Sequence, residues 1–162
     1  MAQPVVTFFN ADSSSAVERW DIGEVDANSE SPTLEVVVWN NKGGTEDVSN
    51  MQDVSVTCLD GTGGDQAKMI TERWMKVLVD TTAEKDAGNV KKFSAIGGVD
   101  ARPVRAQGIT AADGNLIRGT ANEGLMDEAA DNHSKMTFKV GVPLNAPAGQ
   151  HDFRIRVQYF YT

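Results

Sequence analysis

Apolar and polar residues alternate along much of this chain, most clearly near its C-terminal end. Between Phe153 and Tyr161 every second residue is Phe, Ile, Val or Tyr, and Arg or Gln fill most positions between them. Met136 to Val142 alternates in the same way. A period of two is typical of a strand with one face on a core. The two runs can be neighbours, although residues 143–149 are more than a tight hairpin needs.

The same period predicts strands through the rest of the chain. Thr33 to Trp39 is β-branched and nearly all apolar, which indicates a central strand buried on both faces. Helix is predicted at most for one or two turns between Thr81 and Gly88. The other predicted strands are Val5–Phe9, Val17–Ile22, Gln52–Leu59 and Trp74–Val79, with weaker runs at Lys91–Ile96, Val104–Ile109 and Asn115–Arg118.

Turn residues separate these runs. Asn40-Asn41-Lys42-Gly43-Gly44 and Asp60 to Gly64 favour positive φ angles, and Asp113-Gly114 predicts a hairpin. The expected fold is all-β: a single antiparallel β-sandwich, immunoglobulin-like or jelly-roll-like, with about eight to ten short strands and little helix. No linker divides the chain. We therefore expect one domain over residues 1–162 with a short N-terminal arm, residues 1–4.

The acidic charge narrows the choice of partner. The chain has 162 residues and a net charge of −8, and an acidic surface disfavours binding to nucleic acid or anionic lipid. The charge is uneven, because residues 1–65 have twelve Asp or Glu against two Lys or Arg, while residues 66–162 have eleven against thirteen. Such polarity suits contact with copies of the same chain or a basic partner. The alternative is that neighbouring strands neutralise each other within the fold.

The single cysteine, Cys58, excludes an intrachain disulfide. It alternates in phase with Val54 and Val56, which predicts a buried core thiol. Residues 1–4 show no signal-peptide pattern, and no stretch has the length of apolar residues that a membrane span needs. We expect synthesis and folding in the cytoplasm without a signal peptide.

Motifs for catalysis or metal binding are weak. The glycine-rich loop Asp60 to Asp65 lacks the Lys-Ser/Thr pair of a phosphate-binding loop. His133 and His151 have no ligand spacing and read as exposed loop residues. The acidic groups lack the pattern of a calcium loop; they are Asp21, Glu24 and Asp26, and Asp127, Glu128 and Asp131. We expect no enzyme activity, catalytic residue, cofactor or metal.

The three tryptophans are Trp20, Trp39 and Trp74. Each falls in a predicted strand, so core packing is the expected role, most clearly for Trp39. A carbohydrate-stacking surface formed by the three rings is the alternative. It applies most to Trp20, because the charged residues Arg19 and Asp21 flank it.

Two segments together resemble a known class of protein. They are residues 20–29, WDIGEVDANS, and 38–44, VWNNKGG, and the last strand through Tyr161 fits the same picture. They resemble small β-sandwich virion proteins, capsid-decorating or tail-associated, of tailed phages and prophages of Gram-positive bacteria. The resemblance covers the two ends of the chain.

The resemblance implies a non-enzymatic protein of the virion, present in many copies. We expect a capsid decoration protein that binds the outside of the shell and stabilises it; a tail or baseplate component is the alternative. Its partners are then the phage capsid protein, or a tail protein, and copies of itself. The polar turns and the N-terminal arm are the expected contacts, namely Met1, Ala2, Gln3, Pro4, Asn40, Asn41, Lys42, Gly43 and Gly44.

Overall fold

The computed structural model describes residues 1–79 and 92–162, and it is nearly all β. In this part of the chain the secondary structure comprises nine strands, one helical turn and two 3-10 turns. The strands are β1 (Val6–Phe9), β2 (Ser29–Glu30), β3 (Leu34–Asn40), β4 (Gln52–Asp60), β5 (Met75–Val79), β6 (Ser94–Ile96), β7 (Arg102–Pro103), β8 (His133–Val142) and β9 (Phe153–Phe160). The helical turn α1 spans Lys68–Thr71, and the 3-10 turns span Ala111–Asp113 and Ala130–Asn132.

The larger sheet is antiparallel and follows the order β1-β3-β8-β5-β6, with β2 paired to the end of β8. Strand β3 lies inside this sheet, with Trp39 opposite Thr7 of β1 and His133 of β8. Residues Val36 to Asn40 are all buried. The prediction of a central strand buried on both faces is therefore confirmed, and its β-branched composition suits that position.

The smaller sheet has the order β7-β4-β9, so β9 is an edge strand. The central strand β4 pairs with β9 from Asp60 opposite Phe153 to Gln52 opposite Phe160, with a register shift between Gln52 and Ser55. Asp53 has φ +48° at this irregularity. A β-bulge of this kind bends the strand locally.

The two sheets enclose the core between their inner faces. Fully buried side chains come from both sheets, including Val54 and Val56 of β4 and Phe138 of β8. Cys58 is fully buried among them, as its phase predicts. The expected all-β antiparallel sandwich is confirmed. No helix among the described residues is long and apolar enough to cross a bilayer.

Several local predictions are wrong. Residues 17–22, 104–109 and 115–118 form no named strand, although Ile117 makes an isolated bridge to Met51. The predicted hairpin at Asp113-Gly114 is instead a 3-10 turn followed by a glycine with φ +82°. The predicted strand near 91–96 is shortened to β6. The helical turns predicted between Thr81 and Gly88 lie outside the described residues.

The two C-terminal runs are not neighbours in a sheet. Strand β8 lies in the larger sheet and β9 in the smaller one, so the connection between them crosses from one layer to the other. Opposite charges do meet across strands of the larger sheet. Lys135 pairs with Glu35 at 3.5 Å and Lys139 with Glu30 at 2.6 Å, so part of the acidic excess of the first half is neutralised within the fold.

Candidate partner-binding surfaces

The structure brings the N-terminal arm together with the turn that follows β3. The Val5 N–H donates to the Asn40 side-chain oxygen at 3.1 Å, and the Asn41 N–H donates to the Val5 carbonyl at 2.9 Å. Ala2 forms a bridge to Val48, and its carbonyl accepts the Ser49 N–H at 2.8 Å. The arm is therefore held against the sandwich along its length, and Pro4 is buried.

The side chains of Asn40 and Asn41, predicted as partner contacts, are buried and bond within the chain. Asn40 is fully buried, and its amide donates to the Ser49 carbonyl at 3.0 Å. The Asn41 amide donates to the Glu46 carbonyl at 2.8 Å and to the Gly119 carbonyl at 2.9 Å. Buried polar groups require partners, and these two amides supply donors both to carbonyls of the loop that follows the turn and to Gly119, 78 residues away from Asn41.

The rest of this turn is divided between structural and exposed positions. Lys42 is half-buried, and its ammonium lies 4.6 Å from the centre of the Phe9 ring. A Cβ on Gly44 would lie 1.9 Å from Asn41 Oδ1, so that site accepts only glycine in this arrangement. Gly43 is exposed with open space around it. Among the five residues of this turn, Gly43 is thus the one best placed to contact a partner.

Several large apolar side chains are exposed on residues near the point where the arm meets the end of β9. The Ser49 hydroxyl donates to the main-chain oxygen of Thr162 at 2.7 Å, while the Ser49 N–H bonds Ala2. The large apolar side chains exposed on residues flanking this junction are Met1 at 88%, Val5 at 50%, Phe160 at 70% and Tyr161 at 49%. We call these four residues the terminal patch. The sequence pattern indicated Met1 as a contact but not Val5, Phe160 or Tyr161.

A cleft of about 1590 Å³ opens between the sheets, beneath the segment 17–27. Trp20 lies at its mouth, half-buried, and its ring meets the Phe153 ring edge-on at 5.8 Å between centres. Trp74 is buried and packs edge-on against exposed His151 at 5.1 Å. Asp21 and Glu24 are exposed on the rim. The cleft thus combines aromatic edges with a charged rim.

Trp39 and His133 form a buried pair on the outer side of the larger sheet. Trp39 is fully buried, as expected, and its indole N–H donates to the Ser13 hydroxyl at 2.8 Å. The prediction that His133 is exposed is wrong, because 2% of it is accessible. Its ring lies 4.5 Å from the Trp39 ring, and Nδ1 donates to the Ala129 carbonyl at 2.8 Å. Burial lowers the pKa of His133, because charge is costly there.

The other groups that could perform chemistry are the Cys58 thiol, the possible metal ligands and the glycine-rich loop. Burial raises the pKa of the Cys58 thiol to about 12, which is unfavourable for a nucleophile because the thiolate is the reactive form. No group of three His, Cys, Asp or Glu in residues 1–79 and 92–162 is arranged to hold a metal ion. In the glycine-rich loop, Asp60 accepts hydrogen bonds from the Thr62 hydroxyl and the Gly64 N–H, which lower its pKa. That loop is an aspartate-stabilised turn.

Comparisons with known proteins add little. No family model matches the sequence, and no curated protein matches it. Among solved structures, the chain is similar to a family 123 glycoside hydrolase from Clostridium perfringens, with a TM-score of 0.44 and 12% identity. The match covers 98% of this chain and 25% of that one, so the chain spans about a quarter of the hydrolase. A likeness this distant carries no argument about activity.

Proposed function

We propose that this chain is a non-enzymatic structural protein of a phage virion, which decorates the outside of the capsid and stabilises the shell. The observation that carries the binding role is the terminal patch, where four large apolar side chains are exposed around Ser49. Large apolar side chains exposed near one another often mark protein-binding sites. The resemblance of residues 20–29 and 38–44 to virion proteins supplies the class of partner.

The construction of the patch suits repeated attachment to a shell. Hydrogen bonds from Ser49 hold both chain ends in place, so little conformational entropy is lost when the patch binds. Individually weak contacts then add through many copies on one particle. The net charge of −8 favours the outer surface of the shell over the side that faces packaged DNA.

The test is the addition of purified protein to particles that lack it. We expect saturable binding at symmetric sites on the capsid, and greater resistance of the particles to heat, because a bound protein stabilises the state it binds. Val5→Asp should weaken attachment, since it places a charge in the terminal patch. The matched control is Leu144→Asp, which changes an equally apolar residue that is 76% exposed in a distant loop.

Imaging of the particles decides between the structural alternatives. Density on the tail or baseplate alone would replace decoration by a tail role. Equal binding of the Val5→Asp and Leu144→Asp variants would remove the terminal patch from the contact. Absence of the protein from particles would contradict the virion class itself.

A second candidate is carbohydrate binding at the cleft, and the position of Trp20 at its mouth favours it. Aromatic rings beside carboxylates are a common way to recognise polar, ring-shaped ligands. Titration calorimetry with host cell-wall oligosaccharides tests this function. Tight binding that is lost in Trp20→Ala, together with absence from particles, would favour a host-attachment module over decoration.

A further inference from the structure

The free edge of β9 has unpaired main-chain groups. Within residues 1–79 and 92–162, β9 pairs with β4 alone. The Gly61 N–H donates to the Asp152 carbonyl at 3.0 Å, so Asp152 faces β4. Alternate residues of an antiparallel strand face the same neighbour. The residues that direct their N–H and C=O groups to the free edge are therefore Phe153, Ile155, Val157 and Tyr159.

This edge is longer and less covered than the edge at β1. Strand β1 has four residues, and the Val17 N–H already donates to its Phe8 carbonyl at 2.9 Å. Strand β9 has eight residues, and no described residue bonds to its free side. Its inner side chains are only half-buried. Long exposed edge strands with apolar side chains are templates for pairing with another chain.

We propose that β9 pairs with β9 of a second copy of this chain, antiparallel across a two-fold axis at Val157. Opposite residues in such a pair share a face, so Val157 meets its own copy and Ile155 meets Tyr159. The three pairs, Val157 with Val157, Ile155 with Tyr159 and Tyr159 with Ile155, each exchange two main-chain hydrogen bonds, which makes about six in all. The two three-stranded sheets then become one continuous sheet.

The side chains of the outer face match in this register. Arg156 lies opposite Gln158 of the second copy, and Arg154 lies opposite Phe160. The Phe160 ring is 70% exposed in the single chain, and a guanidinium stacked on it gains a cation–π contact. The basic first half of the strand therefore meets the uncharged aromatic second half of its copy.

The two registers shifted by two residues along the strand are less favourable, for reasons of charge and length. A shift of the axis to Ile155 places Arg154 opposite Arg156, and like charges directly opposite each other destabilise a sheet. A shift to Tyr159 leaves fewer paired residues. The complementarity between the two halves of one strand identifies a second copy of this chain as the occupant. This inference does not rest on the proposed function, although the two share Phe160, which the pairing would cover.

Sedimentation equilibrium of the full chain tests the pairing. We expect a concentration-dependent dimer. Gln158 is exposed, so replacing it spares the core. Gln158→Arg places two Arg–Arg pairs across the axis and should raise the dimer Kd about tenfold. Gln158→Glu places two Glu–Arg pairs there and should lower the dimer Kd about tenfold. Gln150→Arg, an exposed change outside β9, is the control for net charge and should leave the dimer Kd unchanged.

Disulfide trapping tests the register. Across the axis Arg156 and Gln158 form a pair without hydrogen bonds to each other, with Cα atoms about 4.5 Å apart, which suits a disulfide. The variant Arg156→Cys/Gln158→Cys should form covalent dimers on mild oxidation, and Gln150→Cys/Gln158→Cys should not. A monomer for both the natural chain and Gln158→Glu would overturn the proposal. A dimer whose Kd is unchanged in both Gln158→Arg and Gln158→Glu, and whose Arg156→Cys/Gln158→Cys variant does not cross-link, would overturn it as well.

Discussion

The replacement of Asn40 by alanine tests whether the turn after β3 is structural. The Asn40 side chain is fully buried and joins three separate segments of the chain. Its oxygen accepts the Val5 N–H at 3.1 Å, and its amide donates to the Ser49 carbonyl at 3.0 Å and to the Ile117 carbonyl at 3.4 Å. Asn40→Ala removes all three bonds and leaves a space that no other side chain fills.

The magnitude follows from what happens to each partner. The Ile117 carbonyl keeps the Met51 N–H as a donor at 2.9 Å, and Val5 is half-exposed, so water can replace the lost acceptor there. The Ser49 carbonyl belongs to a residue that is 2% exposed, and it loses its donor. A buried group without a partner costs about 1–3 kcal/mol, and a typical hydrogen bond contributes about 1 kcal/mol. We expect the free energy of unfolding to fall by about 3 kcal/mol.

Urea unfolding measures this change as a shift in midpoint at constant m-value. Asn145→Ala is the matched control, because Asn145 is exposed, and its effect should stay within about 0.5 kcal/mol. Asn40→Asp should be at least as harmful as alanine, since it turns a carboxylate oxygen toward two carbonyls. A loss below about 1 kcal/mol for Asn40→Ala would refute the structural role of this amide.

Three further predictions concern the buried groups. A thiol reagent should label Cys58 in the native protein about a thousandfold more slowly than in urea at about pH 8, because its raised pKa leaves little thiolate; rapid labelling would contradict its burial. Because the pKa of His133 is lowered on folding, the unfolded state takes up its proton first. The free energy of unfolding should therefore fall as the pH drops below about 6.5, and it should fall less in the His133→Gln variant. Urea unfolding between about pH 7.5 and 5 measures this dependence. Gly119→Ala should cost about 1–3 kcal/mol, since its Cβ would lie 2.3 Å from the Val48 carbonyl oxygen. Gly141→Ala, whose Cβ would meet only the flexible end of a lysine, should be nearly neutral. Thermal melts of both variants measure the difference.

Strand positions and faces could be predicted where a run alternates or is uniformly apolar. The alternation of β9 and the apolar run of β3 both predicted the observed strands, because the period of two is a local property of the chain. The burial of Cys58 followed from its alternation with Val54 and Val56, and the burial of Trp39 followed from its place in an apolar run. Segment 17–22 was predicted as a strand from its apolar residues, but in the structure it lines the cleft. Its Val17 N–H bonds the Phe8 carbonyl of β1, and the residues after Val17 belong to no named strand.

The candidate surface was predictable only in part, because a polar side chain in a turn can either face solvent or bond buried main-chain groups. Asn40 and Asn41 occur in a turn-like context, which indicates exposure, but their amides satisfy carbonyls from Ser49 to Thr120 inside the fold. Tyr161 continues the apolar phase of β9, which indicates burial, yet it is 49% exposed, while Phe160 lies in the outward-facing phase and is 70% exposed. Hydrogen-bond partners this distant in sequence leave no local pattern.

The sequence by itself determined the all-β class, the main strands and the apolar face of each, since these follow from side-chain alternation along a single run. The tertiary structure decided how those strands are paired. Strands β8 and β9 follow each other in the chain with similar patterns, yet they lie in different sheets, and among the described residues β9 pairs with β4 alone. The physical reason is that main-chain N–H and C=O groups are the same for every residue except proline. Which strand each one joins depends on how the whole core packs, not on the sequence of the strand itself.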